Sequence, residues 1–309
     1  MTDTFYFAPM EGITLYPLRE AHHQFFPGVD AYYLPFIDTH ETKTLKTKEK
    51  KDIDPANNKG MTAVPQLLSK RSDLFVWYAK TLREKGYREI NLNLGCPSKT
   101  VVPKGKGAGF LRDLDAVDEF LDGVFTGLAD EDIAVSVKTR TGMDVPEPEK
   151  IAAVLNRYPF SRVIVHPRLG KMFYEGTPDL DAFQAFCEAS AHPVTYNGDL
   201  CTREDLRMLK MRFPDLQSFM IGRGLLKNPA LVREFHGDSA ATPEELIRYS
   251  DAVMRNWLDD LGDEKQTLGR MKELWLYMIH SFPGRENLLK QLRKAKTLHE
   301  FSAIIYFGM

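Results

Sequence analysis

The chain has 309 residues, of which 43% are hydrophobic and 27% charged, with a formal net charge of −2. These are the proportions of an ordinary globular protein able to bury a large core, and they supply no overall pull toward a polyanion. Cys96, Cys187 and Cys201 are too few and too widely spaced for a disulfide framework or a zinc cluster, so no metal is expected. No apolar run approaches membrane-spanning length, and MTDTFYFAPM lacks a secretory pattern, which predicts a protein of the cytoplasm without a membrane partner; a monomer is expected.

Short β-rich runs recur along the chain. They are FYFAPM (5–10), AYYLPFI (31–37), TAVPQLL (62–68), EINLNLGC (89–96), IAVSVKTR (133–140), RVIVHPR (162–168), PVTYNGD (193–199) and SFMIGRG (218–224). Between them, segments such as RSDLFVWYAKTLREKG carry helical apolar spacing. Eight alternations of strand and helix predict an α/β fold of the (β/α)₈ TIM-barrel type over residues 1–238. An open doubly wound sheet fits less well, because no G-x-G-x-x-G follows the first strand. From 239 to 309 no strand is evident. Thr242, Pro243 and Glu245 form a capping-box signature, Thr297 and Glu300 a second, and the spacing predicts an appended helical bundle.

In such a barrel the chemistry gathers at the C-terminal ends of the strands. Those ends carry Pro9-Met10-Glu11, Gln66, Asn93 with Cys96, Lys138 with Arg140, His166 with Arg168, Asn197-Gly198-Asp199 and Gly222-Arg223. The last two strands fit the phosphate site that barrels often build there. Lys138, on the apolar strand IAVSVKTR, is expected to face an anion or a polar ligand, with a surface ion pair as the alternative. Gln66 and Asn93 each donate and accept, as recognition of an imide edge requires, with capping of neighbouring loops as the alternative role for Asn93. Together these groups suit a phosphate-bearing heterocycle, with a flavin mononucleotide as one candidate.

At these residues the sequence resembles the tRNA-dihydrouridine synthases. The segment Asn93, Gly95, Cys96, Pro97, Ser98, then Gly107-Ala108-Gly109, is similar to that family's N-x-G-C-P-S…G-A-G stretch. APMEG, Gln66, SVKTR, His166 with Arg168, NGD and IGRG follow in the family's order. The resemblance implies FMN at the barrel mouth, lined by Pro9, Met10 and Glu11, with Gln66, Lys138 and His166 beside it. Asn197, Gly198, Asp199, Gly222 and Arg223 are then expected to hold its phosphate and ribityl chain. It further implies NADPH as reductant, Cys96 as proton donor to C5 of a uracil, and Asn93, Arg140 and Arg168 as substrate contacts. Cys187 reads as an ordinary buried cysteine, whereas Cys201 matches no motif.

The chain departs from the family at HPRLGKMFYEG, where a more polar H-G-R-T-R-x-Q-x-Y-x-G is common, and at Leu15, where many members carry Asp. Two basic stretches, KTLKTKEKK and RENLLKQLRKAK, together with Lys99, Lys104 and Lys106, are candidate grips on a tRNA backbone. The competing readings are an FMN barrel reductase of a small unsaturated metabolite and a non-catalytic tRNA-binding folding factor.

Overall fold

The computed structural model describes residues 3–308. Ten parallel strand segments follow one another: β1 (Thr4–Phe7), β2 (Ala31–Tyr33), β3 (Ile37–Asp38), β4 (Ala63–Val64), β5 (Gln66–Leu68), β6 (Glu89–Leu94), β7 (Ala134–Arg140), β8 (Arg162–His166), β9 (Val194–Asn197) and β10 (Ser218–Ile221). They pair in the order β3-β5-β6-β7-β8-β9-β10-β1-β2-β4. The two ends of that order meet, because β2 and β3 are one strand interrupted at Pro35, and β4 and β5 one strand interrupted at Pro65. Proline removes a ladder donor and divides each strand without separating it from its neighbours. Leu34 N donates to Val64 O at 2.9 Å, Thr39 N to Leu68 O at 3.1 Å, and Asn91 N to the Pro65 carbonyl at 2.9 Å. The eight strands expected from the sequence therefore close into a barrel.

Alternate strand residues fill its interior, where Tyr6, Ala8, Ala31, Tyr33, Val64, Ile164 and Met220 form one apolar cluster. The helices outside bury one face each. In α3 (Ser72–Glu84) that face is Leu74, Phe75, Tyr78, Ala79 and Leu82, a spacing of three and four residues. The remaining barrel helices are α1 (Tyr16–Phe25), α2 (Thr47–Asp52), α4 (Leu114–Gly127), α5 (Pro148–Leu155), α6 (Leu180–Ala189), α7 (Arg203–Arg212), α8 (Arg223–Lys227) and α9 (Leu231–Phe235).

The C-terminal region is helical: α10 (Pro243–Leu261), α11 (Glu264–Met278), α12 (Leu289–Lys294) and α13 (Leu298–Gly308). Thr242 caps α10 by accepting from Glu245 N at 3.2 Å, but the reciprocal half of the expected box is absent. Arg233 takes both carboxylate oxygens of Glu245 instead, at 2.7 and 2.9 Å, which ties α10 to the barrel. The apolar core runs continuously from the barrel helices into Leu268, Met271, Leu274, Trp275 and Phe301. Asn256 Nδ2 donates to Pro17 O at 3.0 Å, and Arg270 Nη1 to Gly12 O at 2.8 Å. The latter bond fastens the loop after β1 to α11.

Candidate active site at the barrel mouth

Residue alternation in β5, β6 and β7 brings Gln66, Asn91, Asn93, Ser136 and Lys138 together, since Gln66 pairs with Asn91, Asn91 with Ser136 and Asn93 with Lys138 across the sheet. Gln66 and Asn93 are buried and bonded: Asn93 Nδ2 donates to Gln66 Oε1 at 2.7 Å. Asn93 Oδ1 in turn accepts from the backbone N–H groups of Gly95 and Cys96, at 3.0 and 2.9 Å. A short amide side chain satisfying the first free backbone donors after a strand is what turns the chain here.

Cys96 sits on that turn and is half-buried. Its carbonyl accepts from Ala108 N at 3.0 Å, so the lysine-bearing loop folds back on the cysteine. Gly107 makes this return possible, for its φ is +56° and an added Cβ would lie 2.6 Å from Cys96 O. Burial pushes the Cys96 thiol above its ordinary value, against the smaller opposing pulls of the Ser98 backbone, Arg140 and Lys138. The group is held as a protonated thiol at neutral pH.

Lys138 has no hydrogen-bond or acid partner among the described residues. Burial, and then the like charge of Arg140, lowers it to about 7. His166 is buried, and its Nε2 lies 3.0 Å from Arg168 Nη1. A guanidinium only donates, so Nε2 accepts and the ring proton is on Nδ1. Burial, followed by Lys138, Arg140, Arg168 and Arg223, depresses His166 well below its ordinary range, so it is neutral. Four cations thus bear on one imidazole. The acid bonded to this group is Asp199, which takes Arg168 and Arg223. Burial alone raises the Asp199 carboxyl, but its two arginine partners outweigh that and hold it low. Its backbone φ is +24°.

The other expected site residues are less enclosed. Pro9 and Met10 are half-buried, and Met10 N donates to Thr14 Oγ1 at 2.8 Å. Glu11 is exposed and pairs with Lys48 at 2.8 Å. Asn197 donates to Met220 O at 2.8 Å. At Gly198 an added Cβ would meet the Tyr196 hydroxyl at 2.7 Å, whereas Gly222 has ordinary room beside Ala8 and Met10. Arg223 also lies over the Tyr174 ring, its guanidinium carbon 5.4 Å from the centroid. A concavity of about 530 Å³ lies between Cys201, Lys227, Glu234 and His280.

A family model described as dihydrouridine synthase (Dus) matches residues 6–304. The chain belongs to the dihydrouridine synthase family. Among curated relatives it is 28% identical to tRNA-dihydrouridine synthase B of Vibrio parahaemolyticus, over 77% of this chain and 73% of that one. It is 26% identical to a probable tRNA-dihydrouridine synthase of Rhizobium leguminosarum, over 98% and 94% of the two chains. Solved structures of like fold include morphinone reductase, at a TM-score of 0.55 and 11% identity over 78% of this chain and 87% of that one. Histamine dehydrogenase from Rhizobium sp. 4-9 aligns at a TM-score of 0.56 and 13% identity, over 82% of this chain but 48% of the longer one. The dihydrouridine synthase-family chain is an oxidoreductase. No helix of its described residues is long and apolar enough to cross a membrane.

Within this family member, two arginines expected at the substrate have their donors engaged in the protein. Arg140 is buried, and its guanidinium donates to Gly95 O, Leu169 O and Phe173 O, each at 2.8 Å. Arg168 is buried among Asp199, His166 and the carbonyls of Glu175 and Gly176. Each ties mouth loops together. Lys106 likewise reaches Asp38 at 2.6 Å, leaving Lys99 and Lys104 exposed. Asn91 is absent from the residues expected at the site, although its place two residues before Asn93 on one strand was a usable signal.

Proposed function

We propose that this chain binds FMN at the barrel mouth and, with NADPH as reductant, converts uridine in tRNA to dihydrouridine. The observation carrying this reading is the excess of positive charge around Lys138 and His166, beside a protonated and half-buried Cys96. Four cations sharing one acid in a half-buried mouth fit a phosphate and an anionic ring edge, and Lys138 in particular has no acid partner among the described residues. Gln66, Lys138 and His166 would face the ring. Asn197, Gly198, Asp199, Gly222 and Arg223 would hold the phosphate and the ribityl chain, and Pro9, Met10 and Glu11 would line the first strand's side. When bound, the flavin supplies hydride for C6 of the uracil.

The protein's own part is protonic and positional. Cys96 delivers its thiol proton to C5, and burial keeps that proton in place at neutral pH. Asn93 holds the Cys96 turn through two backbone bonds, and Arg140 holds it through Gly95. Drawing a uridine out of folded RNA costs a few kcal/mol, which backbone contacts offset. Lys290, Arg293, Lys294 and Lys296 are exposed and have no acid partner among the described residues, as an RNA-facing set requires. Dihydrouridine measured in bulk tRNA from cells with and without the gene tests the reading. A deficit without the gene is expected, and an identical content would sink it. A flavin absorbance in the purified protein together with unchanged tRNA would point instead to a small-metabolite reductase.

A further inference from the structure

A buried chain of hydrogen bonds continues beyond Gln66 into the barrel. Gln66 Nε2 donates to Asn91 Oδ1 at 2.7 Å, and Asn91 Nδ2 donates to Ser136 Oγ at 2.8 Å. Asn91 and Ser136 are wholly buried. The direction of every bond is fixed from one end. Backbone N–H groups only donate, so the oxygen of Asn93 must face Gly95 and Cys96. Its amide nitrogen must then donate to the Gln66 oxygen, whose nitrogen must donate to the Asn91 oxygen, whose nitrogen must donate to Ser136. A reversal at any one amide would set two donors or two acceptors against each other.

We infer that Asn91, anchored on Ser136, is a positioning residue that locks the amides of Gln66 and Asn93, so that Asn93 meets a ligand as a donor only while holding the Cys96 turn. Asn93 has spent both oxygen lone pairs on the backbone and retains one N–H. Gln66 retains one N–H and one lone pair. The pair therefore offers two donors and one acceptor, and Asn93 favours a carbonyl over an amino group in whatever it touches. Asn91 itself lies one residue further along the relay and acts only through Gln66.

The test compares Asn91→Asp with Asn91→Leu. Aspartate still presents an acceptor to Gln66, and the Ser136 hydroxyl can turn to donate to it, so the direction of the relay survives. Leucine presents nothing, and both amides become free to turn. The first readout is alkylation of Cys96 by iodoacetamide, followed by mass spectrometry of its peptide in the purified holoenzyme. It does not depend on the substrate or on the proposed uridine reduction. Asn91→Leu should quicken alkylation several-fold at neutral pH by loosening the buried turn, while Asn91→Asp stays near the wild-type rate. The second readout, which does rest on that reading, is turnover on tRNA. There kcat should fall about 10²-fold in the leucine variant with KM little changed, and return to within about tenfold in the aspartate variant. Ser136→Ala, a smaller lesion, should move both readouts in the leucine direction, and Ser136→Thr should restore them; this pair decides the matter if Asn91→Leu does not fold. Equal alkylation in all variants, or an aspartate variant as impaired as leucine, would overturn the relay.

Discussion

Two places in this molecule bury arginine, and they use it differently. Outside the barrel, Arg19 is sealed against Asp52 at 3.0 Å, with Asn58 accepting at 2.8 Å and the Tyr16 N–H donating to Asp52 at 2.7 Å. Charge there is matched within the protein, and the result is a tie among α1, α2 and the turn at residues 55–58. At the mouth, Arg140, Arg168, Arg223 and Lys138 bear on His166, with Asp199 as the acid bonded to the group. One site matches its charge pair for pair, while the other gathers four cations around one acid and leaves Lys138 without a partner among the described residues. Burial of a cation is thus no sign of function until its counter-charge has been accounted for.

The largest expected effect is at the mouth. Cys96→Ala should leave any bound flavin absorbance intact and lower dihydrouridine formation by roughly 10²–10⁴-fold in a tRNA turnover assay. Because burial raises the thiol, any loss of rate caused by its deprotonation should lie above about pH 8.5, the ordinary thiol value, separate from the limb set by Lys138 near 7. Full turnover in the alanine variant would make the mouth a binding site without this acid.

Replacing one cation at each site should move stability in opposite directions. Arg19→Met strands Asp52 without its partner, and urea unfolding should show a loss of roughly 3–5 kcal/mol. Lys138→Met relieves a burial cost with no partner to strand, so the ligand-free protein should gain on the order of 1–3 kcal/mol while losing flavin affinity. The pH dependence carries the sign. The folded lysine titrates near 7 against 10.5 for an ordinary lysine, so its cost is complete below about 7 and fades as pH rises toward 10.5. The advantage of the methionine variant should shrink across that window. A constant difference would mean that Lys138 is neutralised by some other group.

Much of this contrast could be read from the letters, but not its decisive half. The eight strands were legible because each is a short β-branched or aromatic run between turn signals, and the mouth residues followed from where those runs end. Pro35 and Pro65 stood inside two of the runs, and the breaks they cause were not expected. Thr242 caps α10 as its spacing implied, yet Glu245 is claimed by Arg233, a residue twelve positions away that no local signature includes. Arg140 and Arg168 have the right type and place for RNA contacts, but sequence says nothing of where a guanidinium finds carbonyls. Asn91 was passed over because it falls within a strand rather than at its end.

The two basic stretches pose the same question of matched and unmatched charge at the surface. Reversing Lys290, Arg293 and Lys294 to Glu should weaken tRNA binding and reduce the steepness of its salt dependence by roughly 0.7–0.9 for each phosphate the protein no longer neutralises. Flavin content should stay normal. An unchanged salt slope would remove the C-terminal helices from the RNA interface and leave them as a brace for the β1 loop through Arg270.

The smallest effect is expected in KTLKTKEKK, and it separates neighbours. Lys48 pairs with Glu11 at 2.8 Å and Lys51 with Asp260 at 2.6 Å, so both resemble the matched site at Arg19 in miniature. Lys50 is exposed and has no such partner among the described residues. An exposed ion pair contributes less than about 1 kcal/mol, so Lys48→Ala should change unfolding slightly and tRNA affinity hardly at all. Lys50→Ala should leave unfolding untouched and, if the stretch faces RNA, lower the salt slope by the share of about one phosphate. Measured side by side in a filter-binding titration, equal effects at the two positions would show that pairing within the protein does not decide which surface lysines RNA uses.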